Sequence, residues 1–168
     1  MSPMIKERMN TLLYFLLNEI FDKFDAIALK KLYNLDVSYA FNRKEIKDHG
    51  EKGAIVGHQL KSGENVLLIE DVTTAGTSIR EIIPILRAHA EVKLVGLIVS
   101  VDRMEKGKTP KGALAELREE YNMPTVAIVN LDEIITYLYN REIDGRIIIN
   151  DDLLSKIKAY RNQYGASE

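Results

Sequence analysis

Short apolar runs rich in β-branched residues alternate with helical segments along most of this chain, and that alternation leaves few folds open. The runs are Asp36 to Phe41 (DVSYAF), Ala54 to Leu60 (AIVGHQL), Asn65 to Asp71 (NVLLIED), Val92 to Asp102 (VKLVGLIVSVD) and Pro124 to Leu131 (PTVAIVNL). Helical patterns occupy Thr77 to Ala90, Lys111 to Asn122, Leu131 to Asn140 and Asp151 to Tyr164. Strands that are almost wholly apolar have no solvent face, and helices between them provide the crossovers that parallel pairing needs. The expected fold is an α/β domain of doubly wound type, a mostly parallel sheet flanked by helices.

Upstream of these runs, Leu12, Leu13, Leu16, Leu17, Ile20, Phe21 and Phe24 recur at helical spacing, and Ile27, Leu29 and Leu32 extend the pattern towards Asn34. Residues 1–35 are therefore expected to form a helical segment and residues 36–168 the core of a single domain. A secretory leader is not expected, because the run Leu12 to Leu17 falls short of an h-region of about 7–15 residues and leads into Asn18 and Glu19. No stretch reaches the roughly 18–20 apolar residues of a membrane span, so no membrane partner is expected. With 23 Lys and Arg against 25 Asp and Glu, the chain offers no overall attraction to nucleic acid. Cysteine is absent, which excludes disulfides and thiolate chemistry and suits a reducing cytoplasm.

The run ending at Asp71 carries the most chemistry. Glu70 and Asp71 fall where the strand ends, followed by Val72, Thr73, Thr74, Ala75, Gly76, Thr77 and Ser78, and then by a helix. Ligands of open parallel sheets bind beyond the carboxyl ends of strands. A loop of small residues lets backbone N–H groups converge, and the helix behind it adds unpaired N–H groups and the positive end of its dipole. Such a cradle suits a phosphate, but two adjacent carboxylates repel a bare one. The ligand must also bring hydrogen-bond donors or a cation, as a phosphorylated ribose with Mg²⁺ does. The bland alternative is a capped strand-to-helix turn with solvent-facing acids. Neither G-x-x-x-x-G-K-[ST] nor G-x-G-x-x-G occurs, which sets aside the P-loop and dinucleotide-binding motifs.

A basic stretch, Asn42 to Gly53 (NRKEIKDHGEKG), gathers Arg43, Lys44, Lys47, His49 and Lys52 without apolar periodicity. Most such runs are solvated loops. A lid over a departing pyrophosphate would have the same composition, since cations stabilise the negative charge that builds there. Arg103, just past the strand ending at Asp102, offers a fork matched to a planar carboxylate, or a partner for Asp102 or Glu105. His58 and His89 lack any comparable surroundings and read as surface or packing residues.

The stretch LLIEDVTTAGTS resembles the signature of the type I phosphoribosyltransferases. YAFNRKEIKDHGEKGAIVG, Tyr39 to Gly57, is similar to the mobile loop of the orotate phosphoribosyltransferases, as is IVSVDRMEKG, with the likeness running from about Ala26 to the end of the chain. The resemblance implies a type I phosphoribosyltransferase fold, transfer of the phosphoribosyl group of 5-phosphoribosyl 1-diphosphate to N1 of orotate, and a Mg²⁺ ion carried by the diphosphate rather than by the protein. It implies that Glu70 and Asp71 bind the ribose hydroxyls and that the loop to Ser78 binds the 5-phosphate. By the same resemblance Arg43, Lys44, Lys47 and His49 attend the diphosphate, with Lys47, His49 and Asp71 as the catalytic group, and Thr74 and Arg103 hold orotate. A homodimer is implied too, the basic loop reaching the neighbouring site.

The chain departs from that family near its start. An N-terminal hood is reduced or absent, and no loop resembling FGPAYKG follows a first strand; Phe24 and Asp25 read as a remnant of that strand. A lost strand would leave a gap in the sheet, and a lost loop would remove donors to pyrophosphate. The second reading is therefore a binding module of the same descent that retains the phosphate cradle with little or no turnover. A purine-directed transferase is less favoured, because the basic loop and Arg103 both suit an acidic pyrimidine.

Overall fold

The computed structural model describes residues 12–16, 21–42 and 55–167. Contacts divide the chain into two compact units, Met1–Glu70 with Thr77–Ile98 and Asp71–Gly76 with Val99–Glu168. The first holds β1 (Leu12–Leu16), α1 (Phe21–Tyr33), β2 (Ser38–Asn42), β3 (Ile55–Gly57), most of β4 (Asn65–Thr73), α2 (Thr77–His89) and the start of β5 (Lys93–Asp102). The second holds the ends of β4 and β5 with α3 (Ala113–Tyr121), β6 (Thr125–Asn130), α4 (Leu131–Leu138), β7 (Glu142–Ile143), β8 (Arg146–Ile147) and α5 (Asp151–Tyr164). Strand order in the six-stranded sheet is β3-β2-β1-β4-β5-β6, and β7 and β8 form a separate hairpin.

The helix expected across residues 1–35 is corrected at Leu12–Leu16. Leu12–Leu16 is a strand, paired parallel with β2 (Tyr14 opposite Tyr39) and with β4 (Tyr14 opposite Leu67). Leucines at 12, 13 and 16 satisfy a helical template, but five successive apolar residues satisfy a strand buried on both faces equally well, and short runs leave the two indistinguishable by period. The sheet consequently has no gap between β2 and β4: the strand thought to be reduced to Phe24 and Asp25 lies earlier, and those two residues begin α1. Helix is right from Phe21 onwards. α1 ends in a left-handed cap, with Asn34 at φ 55° and its N–H on the Lys30 carbonyl at 3.1 Å, and with the Leu35 N–H on the Leu29 carbonyl at 3.2 Å.

Elsewhere the expected elements are found within a few residues of their predicted ends. Val66 and Leu68 of β4 and Leu97 of β5 are buried, and one face of α2 contributes Ile79, Ile82, Ile83 and Leu86 to the core of the first unit. β2 and β3 are antiparallel, with Asn42 opposite Ile55. Gly57 ends β3 at φ 106°, where a Cβ would lie 2.6 Å from the Tyr39 carbonyl oxygen.

In the second unit, α4 begins with a capping box: the Asn130 side chain accepts from the Glu133 N–H at 2.9 Å, and Glu133 accepts from the Asn130 N–H at 2.8 Å. The β7–β8 hairpin turns on Asp144 and Gly145, both at positive φ. An Asp-Gly pair is a strong hairpin signal that the strand and helix reading passed over.

His58 and Glu64 brace the turn into β4. Glu64 accepts from the Lys61 N–H at 2.8 Å and lies 3.0 Å from His58 Nε2. Burial by itself would raise the Glu64 pKa, yet these hydrogen bonds and the charges of His58 and Lys61 together hold it below the usual 4.5. Its contribution to stability is therefore complete above pH 4.5 and is lost as pH falls through the lowered native value. Glu64→Gln is expected to be less stable than the parent at pH 7 in chemical unfolding, with the difference shrinking as pH is taken below 4; a constant difference would show that the charge of Glu64 contributes nothing.

Candidate active site

The alternation that buries Val66 and Leu68 continues to Glu70, only 8% exposed, while Asp71 turns the other way and is partly exposed. A carboxylate at such a depth needs partners, and Ser78 Oγ, in the first turn of α2, donates to Glu70 Oε2 at 3.3 Å. The two ends of the turn are thus tied together. Asp71 Oδ1 accepts the N–H of Val72 at 2.6 Å. Gly76 sits at φ 70°, a left-handed conformation that sends the chain into α2 and that other residues adopt at a cost. No acidic residue of α2 itself lies in its first turn, where the Glu70 carboxylate meets Ser78.

The four hydroxyls expected in the cradle have different surroundings. Thr74 and Thr77 are exposed, Ser78 is engaged with Glu70, and the Thr73 hydroxyl is enclosed, with no hydrogen-bond partner among the described residues. Ala75 is half-buried and Val72 exposed. Arg43, Lys44, Lys47, His49 and Lys52 fall in residues 43–54, outside the described residues. His58 is part of the Glu64 brace, and His89 Nδ1 lies 2.8 Å from the Ile85 carbonyl at the end of α2.

Arg103 follows β5 directly, and β5 is the sheet neighbour of β4. Its Nη2 donates to Tyr160 Oη at 3.1 Å and pairs with Glu105, while the Tyr160 hydroxyl donates to Glu105 Oε1 at 2.9 Å. The hydrogen bond to Glu105, aided by partial desolvation, pushes the Tyr160 pKa above its usual range. Glu105 was one expected partner of Arg103; Tyr160, far along the chain, carried no sequence signal. The stretch after Arg103 is held in place. Glu116, buried on α3, accepts the N–H groups of Lys108 and Thr109 at 2.8 and 2.6 Å and the Thr109 hydroxyl.

A cleft of 720 Å³ in the second unit is bounded by Asp102, Met104, Arg118, Thr125, Asn130 and Arg161. Its charged groups are mutually occupied: Arg118 donates to the Thr125 carbonyl at 3.1 Å, Lys111 to Glu119 at 2.8 Å, and Arg161 to Asp132. Among the described residues no three His, Asp or Glu side chains converge on a metal site, and no helix is long and apolar enough to cross a membrane.

An acid pair leading into a small-residue turn near a strand's carboxyl end, on a mostly parallel sheet flanked by helices, lies where open α/β sheets bind their ligands. The family model for the phosphoribosyl transferase domain matches residues 9–131, and the chain belongs to that family. The match begins upstream of β1, earlier than the likeness from Ala26 suggested, in accord with β1 being a strand of the sheet.

Among its relatives the chain is 52% identical over 141 residues to the orotate phosphoribosyltransferase of Clostridium beijerinckii, covering 84% of this chain and 63% of that protein. It is 50% identical over 140 residues to the orotate phosphoribosyltransferase of Clostridium botulinum, covering 83% and 62%. The chain thus spans less than two-thirds of the length of these curated relatives. A crystal structure of the orotate phosphoribosyltransferase of Francisella tularensis superposes with a TM-score of 0.66 at 28% identity, covering 97% of this chain and 75% of that one.

The enclosed Thr73 hydroxyl is a local cost. Thr73→Val, which retains the shape and removes the unpaired group, is expected to raise stability by about 1 kcal/mol in chemical unfolding. A loss of stability would mean that the hydroxyl has a partner in solution.

Proposed function

We propose that this chain acts as an orotate phosphoribosyltransferase. The turn from Glu70 to Ser78 carries the reading: a paired acid site and a phosphate cradle follow one another on a single strand-to-helix connection. Identity near 50% to proteins named orotate phosphoribosyltransferase supports the choice of acceptor. In the proposed reaction N1 of orotate forms a bond to C1 of the ribose as the bond from C1 to the diphosphate oxygen breaks. The electron pair leaves with pyrophosphate, the proton of N1 passes to the departing pyrophosphate or to solvent, and the carbon inverts.

Glu70 and Asp71 accept the ribose hydroxyls, and the backbone from Val72 to Ser78, with Thr74 and Thr77 at its surface, receives the 5-phosphate. Thr74 and Arg103 orient orotate, whose carboxylate matches a guanidinium fork. Arg43, Lys44, Lys47 and His49 close over the diphosphate from the stretch between β2 and β3. Positive charge there opposes the charge building on the leaving group, and exclusion of water protects the ribosyl carbon. Mg²⁺ belongs to the substrate in this scheme, travelling on the diphosphate, while the carboxylates remain available to hydroxyl donors. We further propose a cytoplasmic homodimer in which the basic loop serves the neighbouring site.

The assay follows loss of orotate absorbance with phosphoribosyl diphosphate and Mg²⁺. Asp71→Asn is expected to weaken phosphoribosyl diphosphate binding roughly tenfold. Lys47→Ala is expected to lower kcat on the order of 10²-fold with little change in KM, as removal of a group that acts on the leaving charge should. No orotate loss by the folded parent would sink the proposal in favour of a binding module without turnover.

A further inference from the structure

The surroundings of Arg103 are more elaborate than a surface arginine requires. Asp102 Oδ1 accepts the Met104 N–H at 2.8 Å, and Met104 takes φ 56°, so the chain reverses immediately after the residue that bears the guanidinium. The reversed segment is then zipped to the end of the chain. The Lys106 N–H donates to the Tyr164 carbonyl at 2.9 Å, the Ala166 N–H donates to the Met104 carbonyl at 3.0 Å, and Glu105 bridges to Gly165. This fixes α5 beside Arg103 and brings Tyr160 across a separation of 57 residues.

The three side chains form a closed ring: Arg103 Nη2 donates to the Tyr160 oxygen, the Tyr160 hydroxyl donates to Glu105, and Glu105 pairs with Arg103. The guanidinium also lies over the Tyr160 ring, 6.0 Å from its centroid, and that ring packs on Tyr164 at 4.6 Å. Glu105 is 13% exposed and Arg103 41%, so the acid is enclosed while the guanidinium still reaches solvent. The hydrogen bond of Arg103 to Tyr160 and its shortest approach to Glu105 both use Nη2.

We propose that Tyr160 and Glu105 are positioning residues, which hold Arg103 in one orientation so that the part of its guanidinium not hydrogen-bonded to Tyr160 receives the carboxylate of the substrate. The inference rests on the assignment of orotate to Arg103 above. A free arginine gives up several rotatable bonds when it grips a carboxylate; one already held by Tyr160 and Glu105 loses less, and the difference is seen as affinity. Neither residue touches the reacting atoms, so their removal should act on orotate binding alone.

The test uses the full chain and the variants Tyr160→Phe and Glu105→Gln, with KM measured for each substrate separately. The KM for orotate is expected to rise roughly tenfold in each variant, with kcat and the KM for phosphoribosyl diphosphate changed less than about twofold. Uracil, which lacks the carboxylate, should inhibit the parent and both variants equally. An unchanged orotate KM in a folded variant, or equal rises for both substrates, overturns the positioning role. Arg103→Ala separates the two levels. An unchanged orotate KM in that variant removes the assignment of Arg103 itself, whereas a large rise there with none in Tyr160→Phe and Glu105→Gln leaves the assignment standing and removes only the positioning.

Discussion

Parallel pairing of β1 with both β2 and β4 is the constraint on which the remainder of the structure depends. Two parallel neighbours cannot be joined by a tight turn; the chain must travel back to the starting edge first. Between β1 and β2 that return is made by α1, and between β4 and β5 by α2. Strands arranged in this way end at a common edge, and the connections that follow them collect there. The one antiparallel pair, β2 with β3, has its own consequence. It sets Asn42 opposite Ile55, the two residues that flank the basic stretch in the sequence.

Buried polar groups show where packing has been subordinated to chemistry. Glu70 continues the inward phase of an apolar strand and is held by Ser78, eight residues on, so the strand end and the helix start constrain each other. Glu116 does comparable work for the segment after Arg103. Its carboxylate gathers donors from Lys108 and Thr109, and it lies so close to Gly107 that any Cβ there would collide with it. A charged group buried with this many donors stabilises the fold only while all of them remain, which makes the segment rigid rather than compliant.

Much of this was legible along the chain. The β4-to-α2 connection was readable because its signals are local: a short apolar run, two acids, small and hydroxyl residues, and a new period of 3.6. The same holds for α4, whose Asn130 and Glu133 announce its start, and for α5, capped by Asn150. Leu12–Leu16 was misread because a five-residue apolar run fits two periods, and only its neighbours decide between them. The restraint on the loop after Arg103 has no local signal, because it comes from Glu116 on the next helix and from Tyr164 and Ala166 far along the chain.

The sequence by itself determined that this chain alternates strand and helix, that an acid pair near the end of β4 leads into a turn of small and hydroxyl residues, and that a cationic stretch follows β2. These depend on residues close together, where propensity, capping and periodicity act directly. Tertiary structure alone decided that β1 lies between β2 and β4, that the Thr73 hydroxyl faces inward while Thr74 faces out, and that Arg103 is clasped by Glu105 and Tyr160. Strand partners, burial and side-chain clasps are set by groups distant in the chain, and their identity is fixed only when the sheet and helices have packed.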